Sequence, residues 1–315
     1  MKDYNPPFIL KNAHLQTIFP SVFRQIDFSF YTRERIETPD DDFLDLDWIK
    51  GNNKKLAIIS HGLEGSSTRP YVTGMARVLS NKGWDILAWN FRSCSGSINR
   101  QLKFYHSGKT DDLETVIDHA RKDNKYQETA LIGFSMGGNL SLVYLGQQGS
   151  RVLNKISKCI VFSVPCDLKS SAEKLAEWNN KIYMWRFLHY LHEKIKKKME
   201  LFPGQIDDHD YQQVKNFKDF DDRYTAPIHG FRDAEDYWEK CSSRFFIRDI
   251  KIPALIINAQ NDPFLTPACF PHKQCEENPV VTLEAPMEGG HVGFVEFNRS
   301  DIYWSERRAV AFLNS

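Results

Sequence analysis

Ser135 stands in Gly133-Phe134-Ser135-Met136-Gly137, a G-x-S-x-G run that follows the apolar segment TALI and opens a stretch of helical character. In that context a serine is a candidate nucleophile. A sharp strand-to-helix turn lifts its hydroxyl clear of the backbone, and the turn leaves no room for side chains two residues before or after it. A serine hydroxyl is a weak nucleophile at neutral pH, so it needs a histidine base, which a carboxylate must orient. The chain supplies these groups in the order serine, acid, histidine. Asp262 follows PALIINAQ (253–260), and His291 lies in Gly289-Gly290-His291-Val292-Gly293, where flanking glycines free it to reach over the strand ends. Asp167, after KCIVFSVP, is the rival acid, and Asp262 is preferred.

Attack by such a serine creates an oxyanion, which two backbone N–H groups must already face. Met136, next to the nucleophile, offers one, and Leu63 in His61-Gly62-Leu63-Glu64-Gly65 offers the other. His61 reads as a structural residue beneath that loop. HGLEGSS lacks the spacing and the lysine of a phosphate-binding loop. His119, His209, His229 and His272 receive no role, and His189, His192 and Glu193 do not complete a ligand set, so no metal site is expected.

The elements around these residues alternate. LAIISHG, DILAWNFR, TALIGFS and KCIVFSVP are short apolar runs separated by helical stretches at 71–82, 111–121 and 137–149. Near-continuous apolar strands are buried on both faces, which predicts a mostly parallel sheet between helices. SFYTRERIE and FLDLDWIK, flanking Pro39-Asp40-Asp41-Asp42, predict an antiparallel hairpin at the sheet edge. PALIINAQ and VVTLEAP resume the strand rhythm, and 303–314 predicts a closing helix. Residues 1–27 have no clean period and read as an irregular surface segment. Between them, 1–168 and 251–315 form the core, and 169–250, helix-rich and aromatic, reads as an inserted helical lid. Trp178, Ile182, Trp185, Leu188 and Leu191 recur at helical spacing, so one apolar face could roof a pocket.

The 315 residues are 41% hydrophobic and 26% charged, a soluble globular composition, and 41 Lys and Arg balance 41 Asp and Glu. Without a basic excess, nucleic acid is not an expected partner. Six cysteines without a C-x-x-C pair suggest reduced thiols and a cytoplasmic protein. The first nineteen residues lack an unbroken apolar run, so no export signal is expected. The charge-free stretch 129–150 holds five glycines and reads as strand, turn and buried helix rather than a membrane span, so no stable membrane insertion is expected.

NAHLQT (12–17), FLDLDW (43–48), HGLEGSS (61–67), NFRSCSG (90–96), YHSGKTDDL (105–113), GFSMGGN (133–139), NDPF (261–264) and GGHVGF (289–294) together resemble the YheT-like family of the α/β-hydrolase superfamily. The resemblance covers nearly the whole chain. It implies an α/β-hydrolase fold and a serine hydrolase acting on carboxylic esters, with Ser135, Asp262 and His291 on the triad positions and with neither metal nor organic cofactor. Ser93 and Ala13 stand where the family usually has glycine. His106 and Asp111 match the H-x-x-x-x-D pattern of acyltransferases, but the YHSG context makes His106 a pocket or loop-packing residue.

The expected function is hydrolysis of short- to medium-chain acyl esters through an acyl-enzyme, with a small ester or lipid as substrate. His106, Trp178, Tyr183 and Trp185 are the pocket candidates. An acyltransferase or thioesterase using the same triad, a lipid-acting phospholipase, and a non-catalytic binding protein are the alternatives.

Overall fold

The structure is a computed structural model that describes residues 4–315. Its frame is an eight-stranded sheet in the order β1-β2-β4-β3-β5-β6-β7-β8. The strands are β1 (Thr32–Glu37), β2 (Phe43–Ile49), β3 (Lys55–Ser60), β4 (Asp85–Trp89), β5 (Glu128–Phe134), β6 (Lys158–Phe162), β7 (Ala254–Ile257) and β8 (Val281–Glu284). β1 and β2 form the antiparallel edge hairpin, β2 also runs antiparallel to β4, and the remaining pairs are parallel.

Strand residues alternate between the two faces, and each face is buried. Ile58 and Leu131 pack on one side, beneath α3 (Thr110–Arg121) and α4 (Met136–Gln148). Their neighbours Ile59 and Ile132 pack on the other, against α2 (Pro70–Ser80) and α11 (Trp304–Leu313). The expected layering is therefore present.

The N-terminal segment differs from expectation. α1 (Ala13–Phe23) is a helix whose Asn12 side chain accepts from the His14 and Leu15 amides, and Pro20 lies inside it. Its apolar residues do not follow one inward face, because Leu15, Ile18 and Val22 point to solvent. A periodicity reading that equates apolar with inward misses such a helix. It is held by Arg24, whose guanidinium forks onto the buried Glu306 of α11 at 2.7 and 3.0 Å.

Between β6 and β7 the chain builds a helical layer. It contains α5 (Leu168–Ala176), α6 (Lys181–Leu201), α7 (Phe217–Phe220), a π-helical turn over Asp221–Thr225, α8 (Ala226–His229) and α9 (Ala234–Cys241). This layer has its own apolar cluster, including Leu188, Ile195, Phe220 and Trp238. Asn139 of α4 ties it to the sheet domain by donating to the Ser107 and Cys241 carbonyls and accepting from the Ser243 amide. α10 (His272–Glu277) precedes β8. Among the described residues no helix is long and apolar enough to cross a membrane, and the six cysteines are unpaired.

Candidate active site

β5 ends at Phe134 and α4 begins at Met136, so Ser135 alone makes the turn. Its backbone is forced to φ 52° and ψ −120°, a conformation that L residues rarely adopt. Glycines make the turn possible by close approach. A Cβ on Gly133 would stand 2.5 Å from Gly138 Cα, and one on Gly137 would stand 2.4 Å from the His61 carbonyl oxygen. The Ser135 amide donates to the Phe162 carbonyl at 2.8 Å, which pins the turn to β6.

Loops following β7 and β8 bring the other two groups to this serine. His291 Nε2 lies 2.9 Å from Ser135 Oγ, and its Nδ1 lies 2.9 and 3.1 Å from the two Asp262 oxygens. Asp262 also accepts from the Phe264 amide at 2.9 Å, which fixes the carboxylate's orientation. With Nδ1–H donated to Asp262, Nε2 is left to accept from the serine hydroxyl, the arrangement needed for proton removal. Asp167 is engaged elsewhere: it caps α5 by accepting from the Ser170 amide and pairs with Arg244.

The histidine loop depends on residues that the sequence did not single out. The His291 amide donates to Thr17 Oγ1 at 2.9 Å, the Val292 amide to Ser163 Oγ at 2.8 Å, and the Gly290 amide to Asn261 Oδ1 at 3.0 Å. Phe264 packs against the imidazole with ring centroids 4.2 Å apart. The signal for Thr17 was the NAHLQT segment. α1 lies so close to the loop that a Cβ on Gly290 would meet Ala13 O at 2.8 Å, and one on Gly293 would meet Gln16 O at 2.5 Å.

The loop after β3 carries Leu63 to the other side of the serine. A Cβ on Gly62 would lie 3.3 Å from Ser135 Cβ, so this loop rests directly on the elbow. His61 is fully buried beneath it, with Nδ1 bonded to the Gly62 carbonyl and Nε2 accepting from the Phe91 amide. Burial pushes its pKa down to about 3, so it stays neutral. Met136 opens α4, where the first amides of a helix have no intrahelical acceptor. Glu64, at φ 53°, receives bonds from Tyr105 and from Lys194 of α6, the latter at 2.7 Å.

The profile of the alpha/beta hydrolase fold family matches residues 57–296, a span that holds Leu63, Ser135, Asp262 and His291. The chain belongs to the α/β-hydrolase family. It is 33% identical to YheT of Escherichia coli over 291 residues, covering 90% of this chain and 84% of that protein, which places it in the YheT-like branch. It is 30% identical to the phospholipase ABHD3 of Mus musculus, covering 84% of this chain and 67% of that protein. Among solved structures, the Pyrococcus furiosus esterase Pf2001 matches with a TM-score of 0.63 and 18% identity over 98% of each chain, a likeness of fold.

In this α/β-hydrolase the serine opens into a cavity between the sheet domain and the helical layer. Ser135, Met136, Leu63 and His291 line one part of it. Leu168, Leu175, Phe217, Phe220 and Trp238 supply apolar wall, and His106 and His229 are also on the lining. His106 contacts His229 edge-to-face with centroids 4.5 Å apart. Asp111 instead pairs with Lys109 at the surface, so the H-x-x-x-x-D spacing does not unite its two ends.

Three of the pocket candidates require correction. Trp178 and Trp185 are exposed and do not line the cavity, and Tyr183 packs on Phe264 and hydrogen-bonds His14 instead. The reason is helical phase. Met184, Leu188 and Ile195 form the inward face of α6, flanked on the cavity side by Phe187 and Leu191, whereas Ile182, Trp185 and His189 lie on the opposite face. His189 stacks on Trp185 and His192 bonds Asp208. Among the described residues no group of three or more His, Cys, Asp or Glu is placed to hold a metal ion.

Ser93 sits at φ 63°, in the left-handed region that favours glycine. Its hydroxyl donates to Asn99 Oδ1 at 2.6 Å and accepts from the Asn99 amide, contacts that offset the strain.

Proposed function

We propose that this carboxylic ester hydrolase works through an acyl-enzyme on Ser135. His291 Nε2 removes the serine proton as Oγ attacks the ester carbonyl, then returns it to the leaving alcohol. Asp262 holds the imidazole in the required tautomer and stabilises the imidazolium. The Met136 and Leu63 amides receive the oxyanion. Water repeats the cycle to release the acid. The observation that carries this reading is the unbroken chain Ser135 Oγ–His291–Asp262, with 2.9 Å at each junction.

Apolar walls support an acyl group of short to medium length, and the similarity to the mouse phospholipase supports a lipid ester as one form of substrate. In this reading the layer over residues 169–250 acts as a cap on the core formed by 1–168 and 251–315. Six unpaired cysteines favour a reducing compartment, the cytoplasm.

Intact-mass analysis after fluorophosphonate treatment tests the proposal. One adduct is expected at Ser135 and none in Ser135→Ala, while an adduct on another residue would reject the assignment. A p-nitrophenyl ester series then reads chain length, and added alcohol acceptors would reveal acyl transfer.

A further inference from the structure

Two adjoining helices, α1 on the His291 loop and α6 on Phe264 beside it, turn apolar residues outward. Leu15, Ile18 and Val22 recur on one face of α1, and all are exposed. In the short turn before α6 and in its first turns, Trp178, Ile182 and Trp185 are exposed to 81, 76 and 68%. The two faces adjoin where His14 of α1 stacks on Tyr183 of α6, with centroids 5.8 Å apart and a 3.2 Å contact from Nδ1 to the hydroxyl. Behind that junction, Thr17 holds the His291 amide, and Tyr183 packs on Phe264, which itself covers the imidazole.

Within the two segments that carry these faces, the charge has one sign. No Asp or Glu occurs from Tyr4 to Ile26 or from Trp178 to His192. Lys11, Lys181 and Arg186 are exposed there, with the Lys11 ammonium over Phe8 and the Arg186 guanidinium over Tyr190. Elsewhere in the chain cations commonly meet carboxylates, as Lys174 does with Glu177 at 2.7 Å just before Trp178.

We infer that this surface docks the protein on anionic lipid, with Trp178, Ile182 and Trp185 entering the headgroup boundary and Lys11, Lys181 and Arg186 facing the phosphates. Tryptophan beside aliphatic residues with flanking Lys and Arg is the composition that an interfacial helix presents to a bilayer. A second copy of the chain fits less well, since a two-fold interface on this patch sets its cations against themselves. Docking here brings the lipid to the two elements that pack around His291. The inference rests on the ester-hydrolase reading only for what the surface delivers.

Flotation with phosphatidylcholine vesicles, with and without phosphatidylglycerol, tests it. Wild-type protein is expected to float at least about tenfold more with the anionic vesicles, and about 1 M salt should erase the difference. Trp178→Ser/Trp185→Ser should lose about tenfold of that binding and keep hydrolysis of a soluble short-chain ester within about twofold. Equal flotation of wild type and variant, or none by either, overturns the inference. So does a dimer in sedimentation velocity that the double variant abolishes, which assigns the patch to a second copy. Anionic-vesicle binding without any soluble-ester hydrolysis would instead sink the ester reading and leave this one standing.

Discussion

Lys194, on α6, places its ammonium 2.7 Å from the carboxylate of Glu64, the residue after Leu63. Both side chains are nearly buried, 13 and 6% exposed, and the same ammonium donates to Cys94 Sγ at 3.1 Å. Through this pair the helical layer grips the loop whose Leu63 amide is proposed to receive the oxyanion. Lys194→Met should strand a buried carboxylate at a cost of about 3 kcal/mol, seen as a lower Tm, and should lower kcat about tenfold through the displaced amide. Unchanged kcat with a lowered Tm would limit the pair to a structural role.

The two candidate acids separate by mutation. Asp262→Asn should reduce kcat by about 10⁴-fold with little change in Tm, since the imidazole loses its orienting acceptor. Asp167→Asn should leave kcat within about threefold and cost about 1 kcal/mol of stability through the lost ion pair with Arg244, since the Asn oxygen still caps α5. Steady-state kinetics and thermal melts of both variants provide the check.

At the elbow, Gly137→Ala forces a methyl group against the His61 carbonyl. Relief requires shifting backbone on both β3 and α4. We expect a loss of about 2–3 kcal/mol, read by urea unfolding, and activity reduced in proportion to the displaced serine.

Thr17→Val keeps the shape of the side chain and removes the acceptor of the His291 amide. Turnover should fall about tenfold while KM stays near its wild-type value, because the hydroxyl positions the base and not the substrate. A rise in KM alone would contradict this role.

Acid should weaken the fold through buried histidines. Burial holds His61 and His229 down to about 3 and His106 well below its usual value of 6.5, the two cavity histidines being lowered further by nearby charges. Below about pH 6.5 the unfolded chain binds protons that the folded chain refuses, so stability present above that pH is lost as pH falls. Asp221 works in the opposite direction. Burial pushes its carboxyl up to about 7, only partly offset by the Thr225 and Trp238 donors, so the folded chain keeps a proton that the unfolded chain has released. Stability from that group falls as pH rises from about 4 to 7. Urea titrations should show Asp221→Asn stabilised at pH 8 relative to wild type, with the advantage gone at pH 4.

The sheet, the elbow and the positions that meet as Ser135, Asp262 and His291 were legible because steric demand leaves a local mark. Glycines at 133, 137 and 290 record close backbone approaches, and strands buried on both faces show as continuous apolar runs. What escaped were surfaces on which apolar residues face outward. The spacing of Trp178, Ile182, Trp185, Leu188 and Leu191 predicted one apolar helical face, but the structure divides it: Leu188 and Leu191 turn inward beside Met184 and Ile195, while Trp178, Ile182 and Trp185 face out. α1 was illegible for the same reason, and with it Thr17. Contacts such as Thr17 to His291, made across 274 residues of sequence, leave no periodicity to read.

That same contact sets an order of events in biosynthesis. α1 is made well before the residues that hold it: Thr17 precedes its partner His291 by 274 residues, and Arg24, just after α1, precedes Glu306 by 282. Until they arrive, the sheet can begin to pair and Ser135 can occupy its turn, but the proposed base is absent and the buried side of α1, Gln16 and Pro20, has no dock. A chain that stops short of His291 therefore lacks the proposed base and leaves α1 without its partner.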